Sequence, residues 1–431
     1  MRAATLDRST EPVGVASRSG DRARSSVVAL IGVCAIVAYA IAALAVTAEG
    51  DPGMLVRVVS VLAVLTVAAT IAGAIRSGGR VAGAAMFVTG VAAVPVLMAV
   101  VGSRLATGID VRDVLGVIAV AAAVVLFVLG SATLVSRIAI RWLRPVVAVV
   151  ATLVVAQFVW LPVGAAVVAT HRARPTATDA TPADQGLAFA DVRITADDGV
   201  GLGAWWIASR NGAAVVMLPG SGSTRDDVLD EAAFVARHGY GVLVMDARGH
   251  GVSGGRPMEF GWGHERDVRS AITWVLARPQ IEHVGLFGLS MGGEVALTTA
   301  ALDPRVDAVV AEGASARTWD DAALEPEPHP VGLANTWLTF VVADLLTPAS
   351  PPAPLIDLVR AIDAPTLLIA GSPANERELD RLYADAAPGS VELWEIPSSP
   401  HVGGLTTEPR EYPARVLAHL DDGLLPDTAA T

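Results

Sequence analysis

The chain has 431 residues, 53% of them hydrophobic and 17% charged, with a formal net charge of −12. That charged share lies below the roughly 25% usual for soluble proteins and argues against a chain that is water-soluble throughout. An acidic balance with no basic run argues against nucleic acid as a partner, and the single cysteine, Cys34, allows neither an intrachain disulfide nor a cysteine metal cluster.

The chain opens with an Arg-containing tail, residues 1–26. Five uncharged stretches follow: Val27–Ala48, Val58–Ile75, Val81–Ser103, Val114–Ser136 and Pro145–Thr170. As helices rising 1.5 Å per residue, each is long enough to cross a hydrocarbon core about 30 Å thick. Soluble helices usually keep a polar face, and these have none. A five-helix transmembrane region is therefore expected over residues 27–170. No charged residue falls inside a span, so the sequence carries no sign of a transport pathway.

Charge places the sides of this region. Arg2, Arg8, Arg18, Arg22 and Arg24 in the tail, Arg76 and Arg80 after the second span, and Arg137, Arg141 and Arg144 after the fourth all fall on one side. By the positive-inside rule that side is cytoplasmic, and five crossings put the remainder of the chain outside. Val46-Thr47-Ala48 loosely resembles a signal-peptidase site; cleavage there leaves four spans and the same final side.

Residues 171–189 read as a polar linker rich in Thr, Ala, Pro and Asp. Beyond it, short apolar runs alternate with helical segments. Strands are expected at Asp191–Thr195, Leu202–Ala208, Ala213–Leu218, Gly241–Met245, Val284–Gly288, Asp307–Ala311, Thr366–Ala370 and Val391–Ile396. Helices are expected at Asp227–His238, Asp267–Ala277 and Glu294–Ala301. That alternation implies a mostly parallel sheet covered by helices on both faces. Residues 315–360 are long enough for a cap, with Trp337, Phe340 and Val341 on an apolar helix that either packs on the core or faces a bilayer.

Three motifs lie along this alternation. Leu218-Pro219-Gly220-Ser221-Gly222-Ser223 follows the third strand, and Asp246-Ala247-Arg248-Gly249-His250-Gly251-Val252-Ser253 follows the fourth. Gly288-Leu289-Ser290-Met291-Gly292 stands between the fifth strand and a helix, the setting in which a sharp turn exposes a nucleophilic serine. Together they make residues 190–425 resemble an α/β-hydrolase of the serine peptidase and carboxylesterase kind. The resemblance implies a Ser–acid–His order in the chain.

Ser290 is accordingly the candidate nucleophile. His401, in Ser399-Pro400-His401-Val402-Gly403 just after the last strand, is the candidate base. His419, on an expected amphipathic helix, and His250, in the Arg-Gly-His-Gly turn, read as a surface and a loop-shaping residue. The acid is less direct. Where the family carries Asp, three or four positions after the Gly that ends its seventh strand, this chain has Ala374 and Asn375. Glu376 comes next and is the candidate acid, with Glu312 at the end of the sixth strand as the alternative. Asp380 reads as a helix surface charge. The oxyanion hole is expected from the backbone N–H groups of Ser221 and Met291.

No cofactor is expected. None of the eight histidines belongs to an H-E-x-x-H pattern, and His264-Glu265-Arg266-Asp267-Val268 lacks the second ligand. The reading is a membrane-anchored serine hydrolase with its hydrolase domain outside the cytoplasm. It would act on a small-molecule, lipid-like or peptide ester, thioester or amide. The displaced acid motivates a rival reading, a catalytically impaired hydrolase-like binding or scaffold module on a membrane anchor.

Overall fold

A computed structural model describes residues 80–105, 111–325 and 329–425. The first two expected spans lie outside these residues. The other three fall on helices α1 (Arg80–Leu105), α2 (Val111–Val135) and the apolar helix α3 (Leu143–His171), each long and apolar enough to cross a membrane. Helix α3 runs through a π-helical turn at Ala156–Trp160. The described residues divide into two compact units, one with residues 80–101 and 111–156, the other with residues 102–105 and those from 157 on.

In the first unit, α1 and α2 meet where glycine permits it. A Cβ on Gly90 would stand 2.6 Å from the Phe127 backbone, and one on Gly130 would stand 2.3 Å from that of Phe87. Small residues let apolar helices approach closely, and the Phe87 and Phe127 rings fill the space beside them, 5.4 Å apart. The side chains turned outward, Val88, Met98, Val117, Ile118, Val125 and Val128 among them, are apolar and exposed. A helix that is apolar all round suits lipid rather than water.

The second unit is built on an eight-stranded sheet. Its strands are β1 (Ala190–Thr195), β2 (Gly201–Ile207), β3 (Ala213–Leu218), β4 (Gly241–Met245), β5 (His283–Leu289), β6 (Ala308–Glu312), β7 (Thr366–Ala370) and β8 (Val391–Glu395), in the order β1-β2-β4-β3-β5-β6-β7-β8. β1 pairs antiparallel with β2, and β2 with β4; every other pairing is parallel. All eight expected strands are present, with no end moved by more than one residue.

Alternation along each strand divides the core in two. Ala214, Val216 and Leu218 of β3 face one side, where α5 (His264–Leu276) and α6 (Met291–Leu302) pack. Ala213, Val215 and Met217 face the other, against α4 (Leu229–His238) and the C-terminal helix Glu411–Leu424. Because both faces are covered, the central strands are apolar at nearly every position, which the period of two otherwise forbids. The chain crosses from β4 to β5 over β3, so strand order reverses between β3 and β5. In such sheets the crevice at the carboxyl ends of the strands beside the reversal is where ligands bind.

One helix was only partly foreseen. Helix α7 (Pro330–Leu346) packs against the second half of α3, Leu161–His171, and Phe340 and Ala343 join Ala166, Met258 and Trp262 in one apolar cluster. Trp337, Val341 and Leu345 stay exposed on its other side. Residues 171–189 are also held more firmly than a linker needs. Gly251 donates its N–H to the Pro175 carbonyl, and Glu259 donates its N–H to that of Ala169. Arg174 donates to the Ser253 and Gly255 carbonyls, and Thr178 donates its N–H and O–H to Asp226.

Candidate active site

Ser290 sits between the end of β5 and the start of α6, with φ 53° and ψ −123°. Only a tight turn brings a strand directly into a helix there, and its glycines make it possible. A Cβ on Gly288 would lie 2.1 Å from the Gly292 carbonyl oxygen, and one on Gly292 would lie 2.2 Å from that of Leu218. Ser290 and Val402 are the two non-glycine residues with positive φ among the described residues. One carries the exposed hydroxyl, and the other adjoins His401. Backbone strain of this kind persists only where surrounding structure enforces it, and it concentrates at functional sites.

Three side chains from three segments beyond the ends of β5, β7 and β8 meet in a line. The His401 imidazole lies with Nε2 2.8 Å from Ser290 Oγ and Nδ1 2.6 Å from Glu376 Oε2. Glu376 is 2% exposed, in the first turn of helix α8 (Ala374–Ala386). Its other oxygen, Oε1, accepts the Gly371 N–H at 2.5 Å. The Glu376 hydrogen bond is the main reason the His401 pKa is raised above its ordinary value; burial opposes it in part. An imidazole held this way can take a proton from Ser290 and be stabilised once charged.

Glu312 is brought near but employed differently. Its Oε1 accepts the Gly404 N–H at 2.8 Å, and its Oε2 accepts the Tyr412 hydroxyl. It makes no hydrogen bond to His401 and instead supports the loop that carries it. Burial raises its pKa. Its backbone carbonyl accepts the Ser290 N–H at 2.7 Å, steadying the elbow from below.

Of the two expected oxyanion donors, Met291 is the first residue of α6, a position whose N–H has no acceptor within its own helix. Ser221 lies on the loop after β3, and a Cβ on the adjacent Gly220 would be 3.4 Å from Ser290 Cβ. The Ser221 hydroxyl donates to the buried Glu259 carboxylate. Glu259 stands 3.3 Å from His250 Nε2 and 4.0 Å from Arg172. Burial pushes the Glu259 carboxyl up, but His250, Ser221 and Arg172 outweigh it and leave the pKa below its usual value. Sequence reasoning missed Glu259, because nothing in Met258-Glu259-Phe260 marks it and only the fold brings it under Ser221.

The second motif builds loops. Asp246 accepts the N–H groups of Arg225 and Val252, Arg248 pairs with Asp198 and Asp267, and Ser253 bridges the Asp246 carbonyl and the Gly203 N–H. His250 is fully buried with Nδ1 2.9 Å from the Arg248 carbonyl, in keeping with a loop-shaping residue. Two expectations of surface exposure do not hold. Asp380 is fully buried, both its oxygens lack a hydrogen-bond partner among the described residues, and burial keeps its pKa well above the usual carboxylate range. His419 is half-buried and lies 3.0 Å from the Val309 carbonyl. Among the described residues no group of three His, Cys, Asp or Glu side chains is arranged to hold a metal ion.

Residues 209–383 match the family model described as serine aminopeptidase, S33. A polyketide transferase (grgF) of Penicillium sp is 36% identical over 131 residues, which cover 29% of this chain and 45% of that protein. A thiohydrolase (aneE) of Aspergillus aculeatus is 31% identical over 128 residues, covering 28% of this chain and 40% of that one. The chain thus spans less than half the length of either relative. The solved esterase of Pyrococcus furiosus is similar at 27% identity and a TM-score of 0.47, covering 58% of this chain and 96% of that one.

Proposed function

We propose, from the premise that the C-terminal part of this chain is an α/β-hydrolase domain, that it is a membrane-anchored serine hydrolase acting on acyl esters or thioesters. The observation that carries the reading is the line from Glu376 through His401 to Ser290, with contacts of 2.6 and 2.8 Å. Ser290 Oγ attacks the acyl carbonyl while His401 Nε2 takes its proton. Glu376 orients the ring and stabilises the imidazolium. The carbonyl oxygen, now an anion, is received by the N–H groups of Met291 and Ser221. The tetrahedral intermediate collapses as His401 passes its proton to the leaving alcohol or thiol, leaving an acyl group on Ser290. Water, deprotonated by His401, then releases the acid by the same steps.

Esters and thioesters are favoured over amides because one relative similar to this chain is named a thiohydrolase. The membrane assignment rests on α1, α2 and α3, and five spans with the hydrolase domain outside remain our reading of the whole chain. The exposed face of α7, with Trp337, Val341 and Leu345, favours lipid-like substrates. The scaffold alternative drew on the missing aspartate, and the Glu376–His401 contact is why we prefer catalysis.

The test is labelling of membranes holding the full chain or Ser290→Ala with a fluorophosphonate probe, followed by short-chain ester and thioester assays. Wild type is expected to label and Ser290→Ala to lose both label and turnover, by at least about 10³-fold. Absence of label in both proteins would put the scaffold reading ahead.

A further inference from the structure

A cavity of about 290 Å³ lies apart from Ser290, and Arg248, Arg256 and Arg266 line it. Arg248 is already committed to Asp198 and Asp267. Arg256 and Arg266 are exposed, and among the described residues their guanidinium groups have no carboxylate partner and donate no hydrogen bond. Asp198 also lines the cavity, but its oxygens accept from Arg248. Arg266 acts on Asp198 and Asp267 only through longer-range charge, so both guanidinium groups keep their donors free within a concave site.

The floor adds to this. His264, which opens α5, lines the cavity, is 4% exposed, and has no hydrogen-bond partner at Nε2. The two acids in that first turn are taken: Asp267 by Arg248, and Glu265 by the buried Arg317. The N-terminal end of the helix thus faces the cavity with both its acids already engaged by arginine.

The position of the walls identifies the ligand's source. His171 is the last residue of the apolar helix α3, and Leu346 and Thr347 end the apolar helix α7; all three line the cavity. The two helices pack side by side and give out together. Where a spanning helix ends, hydrocarbon gives way to headgroups, and an arginine pair there faces lipid phosphate. Exposed Trp337 and Leu345 on α7 offer an apolar surface for the acyl chains of the same molecule.

We propose that this cavity is a binding site for the phosphate of an anionic glycerophospholipid, held by Arg256 and Arg266. It is independent of the hydrolytic reading, since neither arginine touches Ser290, His401 or Glu376.

The test is native mass spectrometry of the full chain in neutral detergent, titrated with phosphatidylglycerol, phosphatidylcholine or inorganic phosphate. Wild type is expected to retain phosphatidylglycerol over phosphatidylcholine. The pair Arg256→Ala with Arg266→Ala should weaken that retention roughly thirtyfold. Arg256→Lys with Arg266→Lys should keep the preference, as should the surface control Arg360→Ala with Arg415→Ala. Thermal unfolding checks that each variant is folded; if the alanine pair is not, Arg256→Gln and Arg266→Gln singly read the same comparison. Equal retention of the two lipids by wild type, or unchanged retention in the alanine or glutamine variants, would overturn the proposal. So would inorganic phosphate binding as tightly as phosphatidylglycerol, which would assign the site to a free anion.

Discussion

Gly371 and Glu376 are joined by a 2.5 Å hydrogen bond, from the backbone N–H that follows β7 to the carboxylate five residues on. That bond fixes one oxygen and leaves the other free for His401 at 2.6 Å. The longer side chain, starting in the first turn of α8, offsets the one or two positions by which it follows the place expected for a shorter acid. Ala374 and Asn375 are therefore compatible with a complete site.

Replacing Glu376 with Gln should lower kcat by roughly 10²–10⁴ and shift its pH dependence. His401 must be neutral to accept a proton, and Glu376 raises its pKa above the ordinary 6.5. In wild type the rate should accordingly fall as pH drops through a value above 6.5. In Glu376→Gln the remaining activity should persist to lower pH, because the imidazolium has lost its stabilising charge. A kcat/KM profile between pH 5 and 9 checks this. An acidic limb that does not move would remove Glu376 from the proposed triad.

Glu312→Gln should behave differently. Its carboxylate receives Gly404 and Tyr412, so the amide leaves one donor facing another and costs about 1–3 kcal/mol of stability. The melting temperature should fall, while the acidic limb of kcat/KM moves down by less than in Glu376→Gln, since Glu312 acts on His401 only through charge and more weakly than Glu376. If the limb shifts as in Glu376→Gln, Glu312 is the acid.

Glu231 gives a stability prediction away from the site. It is 8% exposed, and burial, with the charges of Glu312 and Asp230 adding to it, raises its pKa from 4.5 to about 7. Between those values the unfolded chain has released the proton that the folded chain still holds. Rising pH therefore weakens the fold by on the order of 3 kcal/mol, and the loss is complete above about pH 7. Glu231→Gln should match wild type near pH 4.5 and unfold at a higher temperature by pH 8. A gap between the two melting curves that does not widen with pH would rule this account out.

Much of the fold was legible because burial on both faces leaves continuous apolar strands, as in Val215–Leu218 or Leu367–Ala370, between recognisable turns. Ser290 and His401 were legible because the turn that exposes a nucleophile demands Gly288 and Gly292, and the loop after the last strand is short. The choice between Glu376 and Glu312 was not, because both follow strands that end at the same edge, and hydrogen-bond direction is a property of space. Asp380 misled for a related reason. Its polar neighbours Glu378 and Arg381 suggest an exposed face, yet the helix turns Leu379, Asp380 and Tyr383 inward. Nor did the segment from Ala169 to Pro175 reveal its hydrogen bonds, since backbone carbonyls leave no mark on side-chain pattern.

Those last bonds bear on how substrate arrives. With Ala169 and Pro175 bonded to the loops carrying Glu259 and Gly251, no swivel separates the end of α3 from the hydrolase sheet. On the proposed reading of a membrane-anchored hydrolase, substrate dissolved in the bilayer would be met by lateral diffusion, and turnover should track its mole fraction there more closely than its bulk concentration.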